Sequence, residues 1–350
     1  MIRNILIATN QVPFTSGGGE AHVEGLQRAF REAGYNAEIA ALPFKWYPPN
    51  EIMRSALAWR LLDLSEANGK KIDLVVGMKF PAYLVPHDCK VLWIMHQHRS
   101  AYNLWGTEFD DLSTYPDGSH IRQWIHDCDK RLIPTAKKVF ANSQTVAARL
   151  SRFNGIQSEP LYHPPPRAHK LYCAEQGDYI FYPSRVEPQK RQHLLIEAAA
   201  HLKTPVKILL AGSCQDEPHY RSLIHRYKVD DRVCLKGFAP EDEIVDLYAN
   251  CLGVCYLPFD EDYGYVTLEG MLSGKPVVVA TDGGGAKELI DHNSEGLITE
   301  PEPKAIANAL DSLYADRIKA QQMGARGLEK LKNFNLSWRN VVERLIEAAA

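Results

Sequence analysis

The chain has 350 residues, of which 45% are hydrophobic and 24% charged, and its formal net charge is −3. That balance excludes a disordered or fibrous protein and the global basic field of a nucleic-acid binder, and the length suits roughly two domains. The opening MIRNILIATNQVPF has an apolar core too short for a signal peptide, and no stretch reaches the ~18 residues of a membrane span, so a cytoplasmic protein is expected.

In chain order, the patterning predicts a strand at 4–8, a helix near 20–33, a strand at 37–42, a helix near 51–67 and a strand at 72–76. A strand at 91–95, a helix near 120–133, a strand at 138–141, a helix at 144–153 and a strand at 159–162 follow. Pro164-Pro165-Pro166 is a stiff spacer that fits neither sheet nor helix, and the charged stretch to Gly177 reads as a linker. The second half repeats the grammar: strands at 179–183, 206–210, 232–236, 252–257 and 275–280, with helices at 189–202, near 219–227, at 241–249, from 267 and near 286–290. Helical patterning resumes at Pro303, and residues 336–347 form an amphipathic segment that must pack somewhere. The expected domains are 1–165 and 166–335, both with parallel sheets, and a C-terminal helix within 336–350 is free to pack back on the first.

Seven cysteines, at 89, 128, 173, 214, 234, 251 and 255, include no CxxC pair and predict reduced, buried thiols. His96 and His98 form the one close histidine pair, without an HExxH motif or Cys/His cluster to complete a zinc site, so no metal is expected.

Glu261 and Glu269 bracket the run EDYGYVTLE where a buried strand gives way to a helix. Ligands of open α/β sheets settle at such carboxyl ends, and a helix amino terminus offers N–H groups to anions. Acidic groups on a solvated loop are the other reading. Gly17, Gly18 and Gly19, after Thr15-Ser16, let backbone approach a ligand, but the loop fits neither GxGxxG, with His22 in the third glycine's place, nor the P-loop pattern. Arg185 ends a strand, and Lys190 with Arg191 opens the following helix. Cations there oppose the helix dipole unless an anion such as a diphosphate sits between them; a solvated helix start with Glu187 as partner is the alternative. His96 follows a strand and would face the cleft between domains, or serve a structural role. Gly283-Gly284-Gly285, with Glu288, suggests a loop passing close to a ligand or to the opposite domain.

The runs SRVEPQKR, GSCQDEPHYRSLI, KGF, Glu261 to Glu269 and GMLSGKPVVVATDGGGAKELI, together with ANSQTVAARL and YHPPP in the first half, resemble the retaining glycosyltransferases of family 4. The resemblance covers nearly the whole chain and implies the GT-B fold, two Rossmann-like domains facing an interdomain cleft, with the EX7E motif at Glu261 and Glu269. It implies that Glu261 faces the donor sugar, Glu269 accepts hydrogen bonds from the ribose, and Arg185 and Lys190 clamp the diphosphate. Backbone N–H groups of Tyr265, Val266 and Thr267 would add to that clamp, Gly17, Gly18 and Gly19 would approach the phosphates, and His96, with His98 as rival, would bond the donor sugar. Ser184 departs from the family's glycine before the arginine, and Pro258-Phe259-Asp260 from its Pro-Ser approach to the first glutamate.

The expected activity is metal-independent transfer, with retention, of a sugar from a UDP-, GDP- or ADP-sugar to a glycan or lipid-linked acceptor, in cell-surface polysaccharide, glycolipid or related synthesis. No cofactor and no nucleic-acid partner are expected. The alternatives are a silent nucleotide-sugar-binding protein, a GT-B epimerase, a phosphorylase, and a metal-dependent transferase using Asp260-Glu261-Asp262. Arg54, Arg60, Lys70 and Lys71, read on one helix spanning 51–71, offer a peripheral contact to the inner membrane surface. Trp46, Tyr47, Tyr102 and Trp105 are candidates for stacking on acceptor sugars, with core packing as the other reading.

Overall fold

In the computed structural model, whose described residues are 2–15 and 17–350, the chain divides into two units, Met1–Pro166 with Leu336–Ala350, and Arg167–Asn335. The first unit runs β1 (Asn4–Gln11), α1 (Gly18–Glu32), β2 (Asn36–Pro43), α2 (Asn50–Leu61), a hairpin of β3 (Glu66–Ala67) and β4 (Lys70–Lys71), β5 (Leu74–Gly77), β6 (Lys90–Ile94), α3 (Gly118–Leu132), β7 (Lys138–Ala141), α4 (Gln144–Asn154) and β8 (Glu159–Pro160). The second runs β9 (Tyr179–Pro183), α5 (Gln192–Ala199), β10 (Lys207–Ala211), α6 (Glu217–Tyr227), β11 (Val233–Gly237), α7 (Glu241–Asn250), β12 (Gly253–Tyr256), α8 (Tyr265–Leu272), β13 (Val277–Ala280), β14 (Gly296–Thr299), α9 (Pro303–Ala315) and α10 (Arg317–Lys332). Helix α11 (Trp338–Ala349) belongs to the first unit.

Both sheets are parallel and Rossmann-like. The first has the order β2-β1-β5-β6-β7-β8 and the second β11-β10-β9-β12-β13-β14, so the strand order reverses beside β1 in one and beside β9 in the other. Central strands are buried along their whole length, as helices on both faces require: Leu74–Gly77, Lys90–Ile94, Gly253–Tyr256 and Val277–Ala280 show no exposed position. Lys90 is tolerated inside because its ammonium donates to the carbonyls of Tyr83 at 3.3 Å and Val85 at 3.0 Å. Helix α11 puts Val341, Val342, Leu345 and Ala349 into the core formed by Ile5, Ile7, Leu26 and Trp93, with the Ser337 hydroxyl capping its amino terminus through Asn340 N.

Several elements differ from the sequence expectation. The helix near 51–67 stops at Leu61, because Asn68 (φ 51°) and Gly69 (φ 71°) form the two-residue turn of the β3–β4 hairpin. Lys70 and Lys71 therefore lie on that hairpin and not on the helix with Arg54 and Arg60. The helix at 189–202 is split: residues 188–190 make a 3₁₀ turn, Arg191 is left-handed at φ 55°, and α5 begins only at Gln192. Residues 286–289 are turns and not a helix, and β14 is a strand the patterning missed. Of the thiols, Cys128, Cys251 and Cys255 are buried, Cys89 and Cys214 half-buried, and Cys173 and Cys234 exposed, which corrects the expectation of uniformly buried cysteines. Among the described residues no helix is long and apolar enough to cross a membrane.

Gly25 of α1 faces the indole of Trp338, where an added Cβ would stand 2.9 Å from Cη2. Gly25→Ala should lower the urea midpoint of unfolding by an amount equivalent to about 1–3 kcal/mol, the range for an overpacked core. An unchanged midpoint would show that α11 does not depend on this contact.

Candidate functional site

In the second unit the site residues cluster where the sheet order reverses, at the neighbouring ends of β9 and β12. The chain leaves β9 through Ser184 and Arg185, whose guanidinium is half exposed and lies 3.6 Å from Glu187. The 3₁₀ turn then brings Lys190 Nζ to 2.5 Å from Glu261 Oε2, with little solvent reaching either side chain. The turn is held from below by the Tyr182 hydroxyl, which donates to Lys190 O and accepts from Leu257 N at 3.1 Å. Burial, reinforced by the Glu261 charge, holds the Tyr256 phenol well above its ordinary value.

Arg191, read from sequence with the basic cluster of the helix start, points inward. Its guanidinium donates to Leu257 O (2.7 Å), Pro258 O (3.1 Å) and both oxygens of Asp282 (2.8 and 2.6 Å), so it is a structural clamp rather than an anion ligand. The Glu261 loop is fixed on its other side by the three glycines. Glu261 N donates to Gly283 O at 3.2 Å and Gly285 N to Glu261 O at 2.7 Å. A Cβ on Gly284 or Gly285 would fall 2.5 Å from Glu261 O or 2.6 Å from Asp262 O. These glycines thus serve close backbone packing inside the unit, which accounts for them without a ligand.

Glu269 is carried on α8, almost wholly buried. Its Oε2 accepts from the Tyr248 hydroxyl at 2.7 Å and from Arg167 Nη1 at 3.3 Å, while Oε1 takes no hydrogen bond among the described residues. Burial pushes its carboxyl above the usual range, partly countered by the Arg167 charge and then the Tyr248 hydroxyl. Gly264, at φ 81°, starts α8. Thr267 N is already taken by Gly264 O at 3.1 Å and the Thr267 hydroxyl by Ala286 O at 2.6 Å, so Thr267 is not an open anion donor. Val266 N has no acceptor among the described residues, and Tyr265 lies beside it with its ring edge-on to Tyr263.

In the first unit, Gly17 caps α1 in extended backbone and Ser16 lies outside the described residues. A Cβ on Gly17 or Gly19 would meet nothing closer than 3.7 Å, so protein packing does not itself demand glycine there. The Lys79 ammonium borders Gly19 and pairs with Glu20 at 3.2 Å. His96 stands beyond the end of β6 with Nδ1 2.7 Å from Gln97 O. A carbonyl only accepts, so Nδ1 carries the proton and in the neutral ring Nε2 is the basic nitrogen. Burial holds His98 down at about 4, and its Nε2 is shut off from solvent without a partner.

Beneath this loop lies a buried carboxylate. Asp129 accepts from Tyr83 OH (3.0 Å), Tyr102 OH (2.7 Å) and Gln97 Nε2 (3.0 Å), and Gln97 also donates to Asn154 at 2.8 Å. Tyr102 is thereby buried and stacked on His126, so it offers no free aromatic face of the kind considered for sugar stacking, while the half-buried Trp105 has one face under Arg122. Lys79, Arg167 and Asp129 were not singled out by sequence; each matters through partners far along the chain, a relation no local pattern carries. Among the described residues no group of three or more His, Cys, Asp or Glu side chains is placed to hold a metal ion.

Residues 169–330 match the family model described as glycosyl transferases group 1. The D-inositol 3-phosphate glycosyltransferase of Nocardia farcinica is 25% identical over 244 residues, which is 63% of this chain and 54% of that protein. Among the most similar curated relatives, the matched stretch spans between 25% and 64% of the relative's length. Among solved structures, sucrose-phosphate synthase from Thermosynechococcus elongatus superposes with a TM-score of 0.75 at 17% identity, covering 99% of this chain and 100% of that one. Anabaena HepE in complex with UDP and glucose gives 0.69 at 19% identity, covering 99% and 98%. The fold is GT-B.

Burial raises Asp129 from 3.8 to about 6, so the native state holds that proton more tightly than the unfolded chain. Stability from this group is greatest below its unfolded value and is lost as pH rises through about 6. The difference in unfolding free energy between wild type and Asp129→Asn should therefore fall across that window in urea titrations, and a flat difference would contradict the assignment.

Proposed function

We propose that the protein transfers a sugar from a nucleoside-diphosphate donor to an acceptor hydroxyl, with retention at the anomeric carbon. The observation that carries this is the Lys190–Glu261 pair at the end of β12, inside the segment that matches the glycosyl transferase model. A cation and a carboxylate held together with little solvent, next to the start of α8, provide opposite charges for the two halves of a sugar diphosphate.

In this reading Lys190 turns from Glu261 to the diphosphate, and Arg185, whose guanidinium makes only a long contact to Glu187 among the described residues, joins it as a planar fork. Val266 N–H adds a backbone donor to the leaving phosphate. Glu261, released from the ammonium, accepts from donor-sugar hydroxyls, and Glu269 Oε1 accepts from the ribose. The charge on the departing diphosphate is met by side chains and helix, without a metal, and the departing oxygen takes the acceptor proton on the same face. The family resemblance assigns phosphate contacts to Gly17, Gly18 and Gly19 and a sugar contact to His96. What supports the first is that packing leaves Gly17 and Gly19 room for a side chain they lack, and the second that His96 Nε2 is the basic nitrogen. The names of the relatives, and UDP with glucose in HepE, favour synthesis of a glycan or glycolipid from a nucleotide sugar.

Glu261→Gln and Arg185→Ala should each cost about 100-fold or more in turnover, the scale for losing one transition-state contact, measured as release of nucleoside diphosphate with a folded control. Near-normal turnover in both sinks the assignment. A thermal-shift panel of UDP, GDP, ADP and their sugars should show a selective rise for one base.

A further inference from the structure

Two arginine–carboxylate pairs of the second unit have a deeply buried member, Arg191 with Asp282 and Arg167 with Glu269, and they are built differently. Arg191 and Asp282 close on each other. Two nitrogens meet two oxygens at 2.8 and 2.6 Å, and the carbonyls of Leu257 and Pro258 take further N–H groups. That is the two-pronged fit in which a guanidinium and a carboxylate satisfy one another. Arg167 makes no such fit. A single nitrogen, Nη1, stands 3.3 Å from Glu269 Oε2, and Nε is shut off from solvent with no partner among the described residues. The Tyr248 hydroxyl, at 2.7 Å, goes to the same oxygen. Donors from two segments thus crowd onto Oε2, and a carboxylate with about four acceptor sites is left with Oε1 open.

Arg167 is held in place from outside the site. It opens a strap, residues 167–177, that contains neither strand nor α-helix and runs along α7. Lys170 pairs with Glu241 at 2.5 Å and Asp242 at 3.2 Å, and the Tyr172 hydroxyl donates to Asp246 at 2.8 Å. Further on, Ala174 N donates to Ala249 O at 3.1 Å and Gly177 N to Asn250 O at 2.9 Å. These anchors step from the first residue of α7 to its last, which gives the strap one register on the helix. Helix α7 also carries Tyr248, so it supplies one donor of Glu269 directly and fixes the other through the strap. Neutralising a buried carboxyl requires neither that register nor an open oxygen.

We propose that Arg167 is a positioning residue for donor recognition: it pins Glu269 by Oε2 and keeps it charged, so that Oε1 meets the ribose hydroxyls of a nucleoside diphosphate. Resting on the transferase reading above, this adds the residue that makes the carboxylate prefer a ribonucleotide to a deoxyribonucleotide. A hydroxyl bonds a charged acceptor roughly twice as strongly as a neutral one. The groups facing the carboxyl are Arg167 from the strap, Tyr248 and Glu241 from α7, and Tyr265 from α8 itself. Arg167 is the one cation among them. Burial disfavours the charged form, Glu241 does so as well, and the Arg167 charge is the largest influence in the other direction. Removing that cation lifts the carboxyl further, so the charged form, and tight binding with it, arrives at higher pH.

The experiment titrates the full chain with UDP, GDP and ADP, and then with the 2′-deoxy and 3′-deoxy forms of the one bound, across a pH series, for wild type, Arg167→Gln and Arg167→Lys. Glutamine keeps an N–H for Oε2 without the charge, which protects folding, and lysine returns the charge. Wild type should bind at least one deoxy form about tenfold more weakly than the ribonucleotide, the loss expected for a hydrogen bond to a charged group. In Arg167→Gln that preference should shrink to about threefold or less at neutral pH. The pH at which ribonucleotide affinity reaches half its plateau should rise by about one unit, and Arg167→Lys should restore both. If Arg167→Gln only melts at a lower temperature, with preference and pH profile unchanged, the arginine is structural and the proposal is overturned. Wild type that binds a ribonucleotide and both deoxy forms alike overturns it too, and leaves nucleotide binding standing. Wild type that binds no nucleotide overturns the donor reading itself, and the proposal with it.

Discussion

The buried guanidinium of Arg191 is the constraint on which the second unit's site rests. It joins the turn after β9 to the carbonyls that end β12 and to the carboxylate that follows β13, tying three strand ends with four hydrogen bonds. A charge so deep is tolerated only when fully paired, and here Asp282 supplies the counter-charge in the two-pronged geometry that suits arginine. The left-handed backbone at Arg191 is what aims that side chain inward, and the same reversal aims Lys190 outward at Glu261. One residue's conformation therefore fixes both the floor of the site and the position of its cation.

The first unit solves a related problem with the opposite charge. Asp129 sits at the centre of two tyrosine hydroxyls and the Gln97 amide, and through Gln97 it holds the loop that carries His96 and His98. In both units a buried ionisable group, satisfied by residues from several elements, holds a loop at the carboxyl end of a parallel sheet. Apolar packing alone would position the strands without fixing the loops.

The fold class was legible because alternating apolar runs and amphipathic helices admit few arrangements other than parallel sheets with helical crossovers. The strand Tyr179–Pro183 is the clearest case, bounded by Asp178 before it and polar Ser184 after it. Elsewhere local pattern was outvoted. Asn68-Gly69 was a hairpin signal in plain view, obscured by helical patterning on either side. The helix predicted through Arg191 failed because tertiary pairing of one guanidinium outweighed the propensity of QKRQHLLIEAA. Gly283-Gly284-Gly285 read as a loop close to a ligand or to the opposite domain, since sequence cannot tell a backbone that approaches a ligand from one that approaches another backbone of its own unit. Glu261 and Glu269 share a motif but not an environment: one is paired with Lys190 and keeps some exposure, the other is sunk against Tyr248 and Arg167. That difference depends on Arg167, 102 residues away from Glu269.

The buried carboxyl of Glu269 has a consequence for proton balance. Burial holds it above its ordinary range, and among the described residues one oxygen has no donor. Any ligand whose hydroxyls donate to that oxygen favours the charged form and draws the value down again. Wherever the free carboxyl is protonated, occupancy is then linked to release of a proton, and the apparent heat of binding varies with the ionisation enthalpy of the buffer.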